Sequence, residues 1–218
     1  MPSASPTVKR FLDGSKDNAN PALLITFPSG IQVNEPATTA SKADATPPPT
    51  FSLSHSCLRT HVPGARYIAV VLDLDAPSPS FPLASPILHY LHTDLRAVIS
   101  PFAQPSSRPS SMYKTDTATN TWVKLEPSTI ASGGKGTLEK PLASWLAPAP
   151  PGVSAPHRYV FLVWEQPEKM SGEQIRERLG MSKSEGGLWS KSRWDVEGFV
   201  NKLKLGDVVA GTWMCVES

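Results

Sequence analysis

The sequence predicts a mainly β protein with minor α content, and three observations carry that reading. Residues 67–72 form an apolar run too continuous for a strand with one wet face, which assigns them to the centre of a sheet. Residues 159–164 form a second such run, entered through the rigid segment Pro148-Ala149-Pro150-Pro151-Gly152. Towards the C-terminus the apolar spacing becomes helical, and Ser171 with Gln174, then Ser192 with Asp195, are spaced as capping boxes.

The elements follow in chain order. Val8, Phe11 and Leu12 give residues 5–12 the three-and-four spacing of a short helix, with Gly14 as terminator, inside an N-terminal extension of residues 1–20. Residues 22–27 read as a strand stopped by Pro28 and Gly30, and residues 35–49, rich in Ala, Thr and Pro, as a surface excursion. Residues 67–72 and 87–95 are strands, joined by a loop stiffened by Pro77, Pro79, Pro82 and Pro86. Between residues 100 and 144 the composition turns to Pro, Ser, Thr and Gly, which predicts an irregular insertion over 100–147 with a brief strand near 122–125. After the 159–164 strand come two helices, one carrying Ile175 and Leu179, the other Val196, Phe199, Val200 and Leu203 and ending at Gly206. A strand over 208–216 completes a mostly antiparallel sheet.

At 218 residues the chain can bury one substantial core, so residues 1–218 are read as a single domain. The net charge of +2 is mild and the Lys and Arg residues are scattered, which sets nucleic acid aside as a partner. No apolar run suits a signal peptide or a bilayer span, and Cys57 and Cys215 are too few for a disulfide framework. These features point to a cytoplasmic protein with reduced thiols and no transmembrane segment; peripheral membrane contact is compatible with them.

Chemistry concentrates in two motifs: Asp73-Leu74-Asp75-Ala76-Pro77 at the end of one central run, and His157-Arg158-Tyr159 at the start of the other. Together they resemble the phosphatidylethanolamine-binding protein (PEBP) family, whose D-P-D-A-P and G-x-H-R motifs line a small anion-binding pocket. The resemblance implies a central antiparallel β-sheet sandwich with peripheral and C-terminal helices. It also implies that Asp73, His89, His157 and Tyr159 converge on one cavity. His89 is chosen by its setting in Leu88-His89-Tyr90-Leu91, and strand alternation places His92 on the opposite face.

Such a site makes chemical sense on its own terms. Two imidazoles and a phenol are donors that can surround a phosphate or carboxylate oxygen, and a neighbouring Asp73 would fix one imidazole's tautomer and raise its basicity. An isolated His at a strand end reads more readily as a structural residue, and it is the pair of motifs that turns His89 and His157 into ligand candidates. Asp75 and Arg158 are expected to form a bidentate pair that fixes the two loops, while Pro77, Pro150, Pro151 and Gly152 shape the rim. Two departures from the family pattern stand out. Leu74 replaces a proline, and Ala155-Pro156 replaces Gly plus an apolar residue, removing an amide donor at the pocket mouth.

What the resemblance implies is a non-catalytic binder of a phospholipid headgroup or another anionic, phosphate-bearing small ligand, with no cofactor and no metal. The N-terminal segment and the insertion are most similar to the fungal carboxypeptidase-inhibitor-like branch, which would make a serine carboxypeptidase or a signalling protein the partner. The alternative is a pocket turned to acid–base catalysis of cyclase or isomerase type in fungal secondary metabolism, using Asp73, His89 and His157. A two-His-one-carboxylate metal site lacks corroborating spacing. Ser78, Ser80 and Ser85 lie near the pocket loop but without a G-x-S-x-G elbow. Gly133-Gly134-Lys135-Gly136 lacks the hydroxyl and the flanks of a phosphate loop and is read as a loop tip.

Overall fold

The computed structural model describes residues 5–14, 21–58, 64–98, 122–132, 135–183 and 187–217. Its strands are β1 (Leu23–Thr26), β2 (Gln32–Val33), β3 (Thr38–Ala40), β4 (Thr50–Ser54), β5 (Tyr67–Asp73), β6 (Ile87–Val98), β7 (Trp122–Pro127), β8 (Thr129–Ser132), β9 (Lys135–Leu138), β10 (His157–Glu165) and β11 (Ala210–Val216). Helices α1 (Pro6–Gly14), α2 (Gly172–Leu179), α3 (Leu188–Lys191) and α4 (Val196–Leu203) complete it. Nine strands form one sheet in the order β2-β1-β4-β7-β6-β5-β10-β11-β3, and β8 with β9 form a separate hairpin. Neighbours are antiparallel except β11 and β3, which run parallel.

The unbroken apolar character of β5 and β10 follows from two cores, one on each face. Tyr67, Ala69 and Val71 of β5 and Tyr159, Phe161 and Val163 of β10 point towards β1 and β4, because the sheet curls over on itself. Phe161 meets Phe51 and Phe27 there, at ring-centroid distances of 6.1 and 6.5 Å. Ile68, Val70, Leu72, Val160, Leu162 and Trp164 face the other way, against Val8 of α1, Ile175 of α2 and Phe199 of α4. A strand buried on both faces has no polar alternation to show.

The helix signals were legible in part. Ser171 makes the full capping box with Gln174, and α2 ends on Gly180 at φ 68°, a left-handed conformation glycine adopts freely. The second box is corrected. The N-cap of α4 is Asp195, which accepts from the Gly198 N–H at 2.8 Å. Ser192 cannot open that helix, because the Arg193 and Trp194 N–H groups donate to the Ala84 and Pro86 carbonyls and Arg193 sits at φ 53°. At the other end α4 stops on left-handed Lys204, short of Gly206.

The 35–49 excursion contains β3, a three-residue strand that pairs with β11, buries only Ala40 and carries little apolar signal. The brief strand expected near 122–125 is β7, an interior strand between β4 and β6. The hairpin of β8 and β9 follows it, and Lys135 and Gly136, read as part of a loop tip, lie in β9; Gly133 and Gly134 lie outside the described residues, as do residues 99–121. Among the described residues no helix is long and apolar enough to cross a membrane.

Candidate functional site

Asp73 ends β5 directly opposite Tyr159 of β10, and His157 opens β10 two residues earlier on the same face. Both strands run apolar up to this point, so the polar ends of the two motifs meet at one edge of the core. The His157 Nδ1–H donates to Asp73 Oδ2 at 2.9 Å, and the Asp75 N–H donates to Asp73 Oδ1 at 2.8 Å. Both carboxylate oxygens are thereby fixed. Asp73 and His157 are 3% and 1% exposed, so the pair lies out of bulk water.

His89 reaches the same face through a β-bulge. Val71 pairs with Tyr90 but Leu72 pairs with Leu88, leaving His89 as the extra residue of β6. Its ring meets Tyr159 edge-on at 5.1 Å, and its Nδ1–H donates to the Leu146 carbonyl at 2.7 Å. In the neutral ring Nε2 is then an acceptor. The bulge also corrects the expectation for His92. It lies opposite Ala69, on the same face as His89 and Tyr90, but farther along the strand, with its Nδ1–H on the Thr93 carbonyl.

The two imidazoles are driven apart electrostatically. Burial disfavours the His89 cation and lowers its pKa below 6.5, with Lys191 pushing the same way. Burial opposes the His157 cation too, but the hydrogen bond and charge of Asp73, helped by Asp75 and the Pro77 carbonyl, outweigh it and raise that pKa. Burial and the Asp73 charge raise the Tyr159 pKa, so the phenol stays protonated.

Asp75 and Arg158 form the expected clamp. The guanidinium donates Nε–H to Oδ2 and Nη2–H to Oδ1, and the Arg158 N–H donates to Oδ2, each at 2.8 Å. Among the expected rim residues, Pro77 offers its carbonyl to His157, Pro150 is buried, and Pro151 and Gly152 are exposed. A groove of about 1030 Å³ lies elsewhere, lined by Arg10, Phe11, Glu197 and Leu205 among others. The predicted residues come together in one polar cluster, which the segment before β10 touches through the Leu146 carbonyl and Ser154 Oγ. Among the described residues no group of three or more His, Cys, Asp or Glu side chains is placed to hold a metal ion.

Two residues escaped the sequence reading. The Ser154 N–H donates to the Pro151 carbonyl at 2.8 Å, and this turn sets Ser154 Oγ 3.1 Å from His157 Nε2. Lys191, at the end of α3, lies close enough to act electrostatically on His89. The only sequence signal for Ser154 was its position three residues before His157; Lys191 had none, because it is brought in by the Arg193 and Trp194 backbone bonds to the proline loop.

The fold and site together define a curled, mostly antiparallel β protein in which a D-x-D-A-P strand end is bonded to an H-R-Y strand start. The model of the family described as phosphatidylethanolamine-binding protein matches residues 26–213, and the chain belongs to that family. It is 33% identical over 94 residues to phomoidride biosynthesis cluster protein N of Talaromyces stipitatus, covering 40% of this chain and 45% of that protein. The chain thus spans under half the length of that curated relative. Among solved structures it resembles a carboxypeptidase Y inhibitor complexed with its cognate proteinase, with a TM-score of 0.61 at 19% identity over 97% of this chain and 92% of that one. It also resembles the phosphatidylethanolamine-binding protein of Plasmodium vivax, with a TM-score of 0.54 at 15% identity over 89% and 84% of the two chains.

Proposed function

We propose that this protein binds a small ligand bearing a singly charged phosphate or carboxylate group at Asp73, His89, His157 and Tyr159. The carrying observation is the charge balance. With His157 protonated, His157 and Arg158 are paired with the carboxylates Asp73 and Asp75, and the charge of Lys191, felt at His89, is left to attract one negative charge. His157 Nε2–H, released from Ser154, donates to the anionic oxygen, while neutral His89 Nε2 accepts from a hydroxyl such as that of a hydrogen-phosphate monoester. Affinity for phosphorylethanolamine, measured calorimetrically, should be greater at pH 5.5 than at pH 8. Equal affinity at both would remove the His157 cation from the mechanism.

A second reading is favoured by the opposite pKa shifts of His89 and His157. A buried acid facing a buried base is the arrangement that acid–base catalysis on a small metabolite requires. The similarity to a biosynthesis-cluster protein supports this reading over part of the chain. A serine carboxypeptidase is the proposed protein partner, supported by the fold shared with the carboxypeptidase Y inhibitor. The cytoplasm is the proposed compartment, supported by the free thiols Cys57 and Cys215.

A further inference from the structure

Ser154, His157 and Asp73 stand in line. Ser154 Oγ is 3.1 Å from His157 Nε2, and His157 Nδ1 is 2.9 Å from Asp73 Oδ2. Ser154 is half-buried whereas Asp73 is closed off, so the hydroxyl lies at the solvent end of the relay. We propose that Ser154 is a nucleophile and that the protein hydrolyses small apolar esters through an acyl-Ser154 intermediate. His157 is its general base, and Asp73 is the positioning residue that holds the ring with its proton on Nδ1.

The hydroxyl has one proton and two acceptors, His157 Nε2 and the Ala155 carbonyl at 2.9 Å. In the cationic ring Nε2–H points at Oγ, and the hydroxyl proton turns to Ala155. In the neutral ring Nε2 takes that proton and activates the oxygen. The groups facing the ring are the Asp73 and Asp75 carboxylates and the Pro77 carbonyl, which favour the cation, and His89, which disfavours it. Hydrolysis therefore rises with pH, opposite to anion binding.

The chemistry closes with water as the only co-reactant. The Oγ–C bond forms as the hydroxyl proton passes to Nε2 and the carbonyl π pair moves to oxygen. The C–O bond to the leaving group then breaks and the leaving oxygen takes the proton from Nε2. Water repeats the attack on the acyl carbon, giving up a proton to Nε2; the Oγ–C bond breaks, Oγ recovers the proton, and a carboxylic acid departs. The Ala155 N–H, which donates to no group among the described residues, follows the nucleophile directly, where an oxyanion donor is needed. Pro156 offers no second amide, so esters with good leaving groups, such as aryl esters, are the substrates. Val153 beside Ser154 is 100% exposed and suits an apolar acyl or aryl part.

The test treats the full chain with an alkyl fluorophosphonate and maps the adduct by peptide mass spectrometry, alongside 4-nitrophenyl butyrate hydrolysis. The adduct is expected on Ser154, absent in Ser154→Ala, forming roughly tenfold faster at pH 8 than at pH 5.5. His157→Gln should slow it by about 10²-fold or more. The wild-type pH profile needs no variant to fold. An adduct elsewhere, a rate that falls with pH, or undiminished hydrolysis by Ser154→Ala overturns the proposal. Calorimetry with phosphorylethanolamine is scored separately, because ligand binding without an adduct removes the hydrolase and leaves the binding site standing.

Discussion

Tyr159 sits directly across the β5–β10 ladder from Asp73, and that single register brings the polar ends of two motifs together. Because paired residues share a face, it places His157, two residues before Tyr159, beside the same carboxylate. Around this pairing the two histidines acquire opposite protonation preferences.

Histidine titration by NMR should find His157 above and His89 below the ordinary 6.5. The raised His157 pKa contributes stability present below pH 6.5 and lost as pH rises through its folded value. The lowered His89 pKa gives a penalty below its folded value that disappears as pH rises through 6.5. Asp73→Asn should lower the His157 pKa, since burial then opposes the cation with only Asp75 and the Pro77 carbonyl left to support it; an unshifted His157 in that variant would show that Asp73 does not support the cation.

Breaking the clamp should destabilise the fold. Asp75 is 1% exposed and bonded three ways to Arg158, so Arg158→Met leaves a buried carboxylate short of its partner. The expected loss is roughly 2–3 kcal/mol, below the usual range for a buried pair because the guanidinium is partly in water. Chemical denaturation measures it, and a loss under about 0.5 kcal/mol would mean that water replaces Arg158 without penalty.

Lys191→Gln should weaken phosphorylethanolamine binding about three- to tenfold while leaving thermal stability unchanged, with the difference shrinking as salt is added. The basis is the action of Lys191 on His89. Salt-independent weakening would point to a packing defect instead of a lost charge.

If the proposed carboxypeptidase partner is contacted through α1, surface charge is the test. Val8 is 1% exposed within the helix-side core, and the Thr7 N–H donates to Glu197 Oε1 at 2.8 Å, so α1 is docked on the fold. Removing residues 1–14 would uncover that core at a cost of roughly 1.5–3 kcal/mol for Val8 alone. Lys9→Glu with Arg10→Glu, both exposed, should abolish inhibition with the fold intact. Inhibition that survives the charge reversal would place the contact elsewhere.

The central strands were legible for one physical reason: a strand buried on both faces must be continuously apolar, so Asp73 and His157 stand out at its ends, while their convergence was expected from the family resemblance. The Ser171 box was readable because its pattern is local and nothing competes for its amides. Ser192 misled because the Arg193 and Trp194 amides are used by a loop more than a hundred residues earlier. His92 misled because a bulge at His89 resets alternation without any marker in composition. Strand β3 and the hairpin of β8 and β9 are held by backbone pairing, which side-chain pattern does not record.

The most direct test of the binding site follows the imidazole resonances of His89 and His157 by NMR at pH 5.5 as hydrogen phosphate and phosphorylethanolamine are added. Both rings should shift saturably along one isotherm, with His157 moving further towards its protonated position and His92 unaffected. Shifts absent from both rings, or seen equally in His92, would contradict a shared anion site at Asp73, His89, His157 and Tyr159.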